Sequence, residues 1–330
     1  MNQATDYMNE PRSPTSQAGK SWDTYWQGSG AIGAYARGGA AHPAIKAYWA
    51  EFFNATKMAY RKPAMLDIAS GNGPVVEQAL EMLGDGISQL CCVDVSEAAI
   101  NNIQSRFPTV KGVVADARSI PLDSGAFDII TSQFGIEYAG LEAVEEADRL
   151  LAGRGRFGFL MHIREGSIHR ECMENLEAVS RVREAGFVER AKAMFEAGFA
   201  AVRGADRAAY DTAGKQLAPA ISELESILDQ YGKQVADGSL AQLYGDVARI
   251  HGEIQHYEPE EVLGWLSRMS EELEDYAGRM SSMRDAALDE DTFKELCNGL
   301  HRRGWEIETA GPFQVPDEES PLAWALIARK

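Results

Sequence analysis

Short apolar runs that end in small or acidic residues, each followed by a helical repeat, organise the chain from residue 65 onward. The first is Met65-Leu66-Asp67-Ile68, a strand pattern broken by one acid and closed by Ala69-Ser70-Gly71-Asn72-Gly73. Val75, Val76, Ala79, Leu80 and Leu83 then recur at helical spacing, and Pro74 suits the first helical turn. Ser88 to Asp94 reads as a second strand ending in an acid, and Ser96 can cap a helix carrying Ile100 and Ile103. Val110 to Arg118 gives a third strand, with Asp116 near its end. Phe127 to Phe134 gives a fourth after a turn at Asp123-Ser124-Gly125. Leu150 to Phe157 combines a helix end, a glycine turn and the start of a fifth strand that runs to His162. Continuous apolar strands alternating with helices predict a parallel sheet covered on both faces.

Beyond His162 the period changes. From 165 to 290 the apolar positions follow helical spacing almost throughout, as in Leu217, Ile221, Leu224, Ile227, Leu228 and Tyr231. The pattern predicts a helical cap inserted into the α/β core, acting as a substrate lid or burying its apolar faces in a homodimer. A helix over 292–304 and strands at Trp305–Thr309 and Leu322–Ala328 complete the core, the last pair forming an antiparallel hairpin with an acidic loop. Residues 1–20 are polar and predict a disordered tail. Residues 21–60 carry Trp22, Tyr25, Trp26 and Tyr35 ahead of a helical stripe and predict a helical lid. The core is then 61–164 with 291–330.

A strand, a glycine turn and a helix N-terminus bring backbone close to a ligand. The dinucleotide pattern G-x-G-x-x-G fails at its third glycine, where Val76 stands, and no Gly-Lys-Ser/Thr follows to bind phosphate. The h-D-h-A-S-G-N-G stretch instead resembles motif I of the class I S-adenosylmethionine-dependent methyltransferases. Phe127-Asp128-Ile129-Ile130 with Ser132-Gln133-Phe134-Gly135 resembles their motif IV region, nearest to the ubiquinone/menaquinone-type small-molecule enzymes. The resemblance implies a Rossmann-like seven-stranded sheet with its last strand antiparallel, and S-adenosylmethionine as cofactor.

It also implies a set of contacts. Ala69, Ser70, Gly71 and Gly73 would lie under the methionine part of the cofactor. Asp94, with Val95, stands where one carboxylate can accept from both ribose hydroxyls. Asp116 and Ala117 would meet the adenine, and Gln133 and Phe134 would line the fourth strand's end. Tyr25 and Tyr35 are candidates for the methionyl carboxylate or the sulfonium, which favours aromatic faces. Glu137, Tyr138 and His162 follow the fourth and fifth strands and are the candidate catalytic groups, His162 as a base that could titrate near neutrality.

Composition narrows the class. A net charge of -18 over 330 residues argues against a nucleic-acid backbone as partner. The four cysteines have no metal-ligand spacing and suggest neither a disulfide framework nor a metal site, so a reducing cytoplasmic setting is expected. No stretch is apolar enough to span a membrane. The expected activity is methyl transfer to an O, N or C atom of a small apolar or aromatic metabolite. Two rivals stand beside it: a nicotinamide-dependent oxidoreductase, and a non-catalytic binding or assembly protein that keeps the fold.

Overall fold

The computed structural model describes residues 17–28, 42–316 and 318–330. The described chain divides into two compact units, one reaching to Arg170 and resuming at Ser282, the other Glu171–Ser281.

The first unit is built on β1 (Ala64–Ile68), β2 (Gln89–Asp94), β3 (Lys111–Val114), β4 (Phe127–Gln133), β5 (Leu151–His162), β6 (Glu306–Phe313) and β7 (Ala323–Arg329). Their order is β3-β2-β1-β4-β5-β7-β6. Neighbours β3 to β5 pair in parallel, and β7 runs antiparallel to both β5 and β6. This is the expected Rossmann-like seven-stranded sheet. β1 and β2 are buried almost end to end, which is why they read as unbroken apolar runs. β3 is shorter than the sequence suggested, covering Lys111–Val114, because it is an edge strand with one neighbour. Past Val114 the chain keeps one ladder bond, Ala115 N to Asp94 O at 3.0 Å, and then turns.

Helices α1 (Gln17–Gly28), α2 (Pro43–Ala59), α3 (Pro74–Leu83), α4 (Glu97–Arg106), α5 (Leu141–Leu150) and α11 (Glu290–Arg302) belong to this unit. α1 starts at Gln17, inside the stretch expected to be disordered. α11 begins at Glu290, two residues ahead of the expected start, because the Asp289 carboxylate caps it by accepting from Thr292 N at 2.9 Å. α2 shows how such a helix is held. Ile45, Trp49, Phe52, Phe53 and Thr56 make one buried stripe, and His42 Nδ1 accepts from Ala44 N at its start. The Arg156 guanidinium of β5 lies 4.5 Å from the Phe52 ring and donates to Phe52 O at 3.1 Å.

The second unit has its own core. α7 (Phe187–Val202), α8 (Arg207–Tyr231) and α9 (Ser239–Gly252) lie within it, with most of α6 (Ser167–Glu184) and α10 (Pro259–Ala286). Phe195, Leu217, Leu224, Ile227, Leu240, Leu243, Leu266 and Leu273 are all buried, as their helical spacing required. The Asn175 side-chain oxygen accepts from Ala236 N at 2.9 Å, satisfying a buried amide in the turn before α9.

Gly158 of β5 is where the sheet admits α2 most closely: a Cβ there would lie 2.7 Å from the Phe52 ring. Gly158→Ala is therefore expected to lower the unfolding free energy by about 1–3 kcal/mol. Gly153→Ala, on the same strand with open space around it, should stay within about 0.5 kcal/mol of the parent. Urea denaturation of both variants checks this.

Candidate active site

The glycine turn departs from regular backbone at three residues. Ala69, Gly71 and Gly73 have φ of 53°, 51° and 76°. Glycine makes that conformation accessible at two of them, while Ala69 is held there against its own preference. The holding force comes from the neighbouring strand. Asp94 Oδ2 accepts from Gly71 N at 2.8 Å and Oδ1 from Ser96 N at 2.9 Å. Ser70 N reaches Val93 O at 3.1 Å, and Ser70 Oγ donates to Asp67 O at 2.8 Å. From α4, Asn102 donates to the Asn72 side-chain oxygen at 3.1 Å and Arg106 to Asn72 O at 2.6 Å. Sequence reasoning missed Asn102 and Arg106.

Beneath this turn lie two buried acids. Asp67 is buried and accepts from Thr131 Oγ1 at 2.6 Å. Burial pushes its carboxyl up to about 7, against the lowering effect of the Thr131 and Ser70 hydroxyls. Asp94 is raised as well, mainly by burial and least by the Asp23 carboxylate, while the Ser96, Gly71 and Val95 amides oppose the shift. The second amino group of Arg106 is paired with Glu77 at 2.8 Å, which offsets its charge. Asp67 stood out in the sequence only as an acid interrupting an apolar strand.

α1 lies on this turn. A Cβ on Gly71 would sit 2.7 Å from the Trp26 ring. Asp23 Oδ1 accepts from Ser96 Oγ at 2.6 Å and Ala98 N at 3.2 Å, capping α4 from outside. Trp26 O accepts from Asn102 at 2.8 Å. Tyr25 is half-buried in the same aromatic group, 4.7 Å from Trp26. Tyr35 lies outside the described residues.

At the end of β3, Asp116 is engaged by Arg118. The backbone N–H of Arg118 and its Nε reach Oδ1 at 2.9 and 3.0 Å, and Nη2 reaches Oδ2 at 2.5 Å. The side-chain hydrogen bonds from Arg118 hold Asp116 below the usual carboxylate range. Val95 and Ala117 are half-buried beside Asp94 and Asp116.

The ends of β4 and β5 bring the three catalytic candidates together. Phe134 has φ of 54°, and its N–H reaches Leu160 O at 2.7 Å, so β4 turns sharply there. A bulky residue in that region is strained, and strain of this kind gathers at functional sites. Gly135 follows without a side chain because a Cβ would overlap that of Ala69, so the two turns meet backbone to backbone. Glu137 Oε1 accepts from both His162 N at 2.8 Å and His162 Nδ1 at 2.6 Å. Both side chains are buried, and Glu137 Oε2 has no hydrogen-bond partner among the described residues. The Phe134 and Tyr138 rings lie 4.8 and 5.7 Å from the imidazole, and Trp22 of α1 lies 6.0 Å from Tyr138. The Gln133 side chain is turned to α2 instead, accepting from Trp49 Nε1 at 2.5 Å.

Residues 65–155 match the family model of a methyltransferase domain. Two curated relatives are ubiquinone/menaquinone biosynthesis C-methyltransferases. The Rickettsia prowazekii protein is 29% identical over 103 residues, and the Rickettsia typhi protein is 33% identical over 104. Each match covers 28% of this chain and 42% of the relative, so the chain spans about two fifths of these proteins' length. Among solved structures, the plantazolicin methyltransferase BpumL in complex with SAH aligns over 95% of this chain and 89% of its own, at 11% identity and a TM-score of 0.45. Geranyl diphosphate C-methyltransferase from Streptomyces coelicolor A3(2) aligns over 46% and 68%, at 18% identity and a TM-score of 0.36. The sheet order is the one expected for a class I S-adenosylmethionine-dependent methyltransferase, and the methyltransferase-domain match lies on the strands and helices from β1 to the start of β5. Among the described residues no helix is long and apolar enough to cross a membrane, and no cluster of His, Cys, Asp or Glu could hold a metal ion.

The buried carboxyl of Asp67 gives a signed pH dependence. Its folded pKa lies above the unfolded value, so the folded state binds the extra proton, and its stabilising contribution fades as pH rises from about 4 through about 7. Asp67→Asn removes that loss. The variant should gain stability on the parent across this window, by at most about 4 kcal/mol, and the difference should level off above pH 8. Urea midpoints of both proteins from pH 5 to 8.5 measure it, and a constant difference would refute the assignment.

Proposed function

We propose that the protein transfers the methyl group of S-adenosylmethionine to a small, apolar or aromatic acceptor, using His162 and Glu137 as a proton-accepting pair. The observation that carries the donor half is the glycine turn seated on two buried carboxylates, Asp67 and Asp94. A floor of acids offers acceptors where a pyrophosphate needs donors, and it suits a ligand whose groups are a neutral ribose diol and a cationic sulfonium. Asp94 accepts from the Gly71 amide on Oδ2 and the Ser96 amide on Oδ1, with the Val95 amide acting on it as well, so a carboxylate of about four acceptor positions keeps capacity for a hydroxyl. The same floor weighs against the nicotinamide reading. Gly71, Gly73, Ser70 and Asp94 would hold the donor, which supplies a methyl carbon activated by the positive sulfur.

For the acceptor half, an ionised Glu137 can only accept, so His162 Nδ1 carries the proton and Nε2 is left basic. Glu137 then stabilises the imidazolium formed when Nε2 takes a proton from the acceptor. The Phe134, Tyr138 and Trp22 rings supply an apolar surround that excludes water from the transfer. The curated relatives are named as C-methyltransferases, but they match under a third of this chain, so the acceptor atom is left as O, N or C.

Calorimetric titration with S-adenosylhomocysteine tests the division of roles. Asp94→Ala should weaken binding by about tenfold to a hundredfold. His162→Ala should stay within about threefold of the parent, because it works on the acceptor side. Unchanged affinity in Asp94→Ala, or tight binding of NAD by the parent, would sink the proposal.

A further inference from the structure

We infer that Arg118 is a positioning residue for the adenine end of the donor site, setting Asp116 so that one acceptor position, on Oδ2, remains for a single N–H of an exocyclic amino group. This rests on the methyl-donor reading above. An ionised carboxylate offers about four acceptor positions. In Asp116, Oδ1 takes the Arg118 backbone N–H at 2.9 Å and Nε at 3.0 Å, and Oδ2 takes Nη2 at 2.5 Å. Three donors from one residue therefore fix the plane of the carboxyl group and saturate Oδ1.

The pair's side chains are 26% and 25% exposed, and the two side-chain donors engage both carboxylate oxygens, so the pair orients the group as well as stabilising it modestly. It also stands two residues past β3, whose backbone joins that of Asp94 through Ala115 N to Asp94 O at 3.0 Å. The two acids thus close adjacent parallel strands, one placed for a ribose diol and the other for the base attached to it. A carboxylate locked this way accepts an amino group and repels a carbonyl at the same position. Without Arg118 it keeps one amide bond, can rotate about its Cβ–Cγ bond, and can admit a bridging water that satisfies either group.

The test is calorimetric titration of the full chain and of Arg118→Met and Arg118→Lys with two ligands, S-adenosylhomocysteine and S-inosylhomocysteine. The second replaces the amino group by a carbonyl. The parent should prefer the adenosyl ligand by roughly thirtyfold or more. The preference should fall below about fivefold in Arg118→Met, with Arg118→Lys between, and midpoints of thermal unfolding should stay within about 2 °C of the parent. A preference unchanged in both variants, or absent from the parent, overturns the role of Arg118 and leaves the donor reading intact. Failure of the parent to bind S-adenosylhomocysteine at all overturns both together.

Discussion

The Asp94 carboxylate is the constraint around which the site is arranged. It accepts from Gly71 on the turn after β1 and from Ser96 at the head of α4, joining the two strand ends through one side chain. Ala69 can then hold a left-handed conformation, and Gly135 can pack against it with no side chain between. An interaction of this kind is expensive when incomplete, because a buried acid without its donors loses far more than one hydrogen bond contributes. The turn and the end of β2 are thereby fixed to each other, with the Trp26 ring lying on Gly71 in the free protein. The second acid, Asp67, adds another buried acid beneath the turn and is held by Thr131 of the neighbouring strand.

The acceptor side is organised by different means. There the control is aromatic packing around one buried pair, Glu137 and His162, with both the main-chain and the ring N–H of His162 on one carboxylate oxygen. Double engagement fixes the ring's orientation as well as its tautomer. α1 connects the two halves, since Trp26 lies on Gly71 while Trp22 reaches Tyr138. Asp23, placed on Ser96 and Ala98, anchors that helix beside Asp94.

Most of the fold could be read from the chain because parallel strands buried on both faces leave continuous apolar runs, and β1, β2 and β4 do so. β3 was overextended because an edge strand loses its ladder on one side before its apolar character ends. Glu137, Tyr138 and His162 were found by their place after strand ends, and they lie together. The partners that define the site were not legible. Trp49 takes the Gln133 side chain across 84 positions of sequence, and no local period encodes such a pair. Arg118 two residues beyond Asp116 looks like any charged loop residue until its three donors are placed on one carboxylate. Nor does an apolar strand announce that its single acid, Asp67, bonds to a threonine on the neighbouring strand.

A crystal structure of the protein with S-adenosylhomocysteine shows whether the turn after β1 and the acid ending β2 form one site for a methyl donor. A ribose hydroxyl is expected within about 3 Å of an Asp94 carboxylate oxygen, with the homocysteine part over the Gly71–Gly73 turn and Trp26 displaced from it. Density for the ligand away from Asp94, with the turn covered by Trp26 as in the free protein, would contradict that placement.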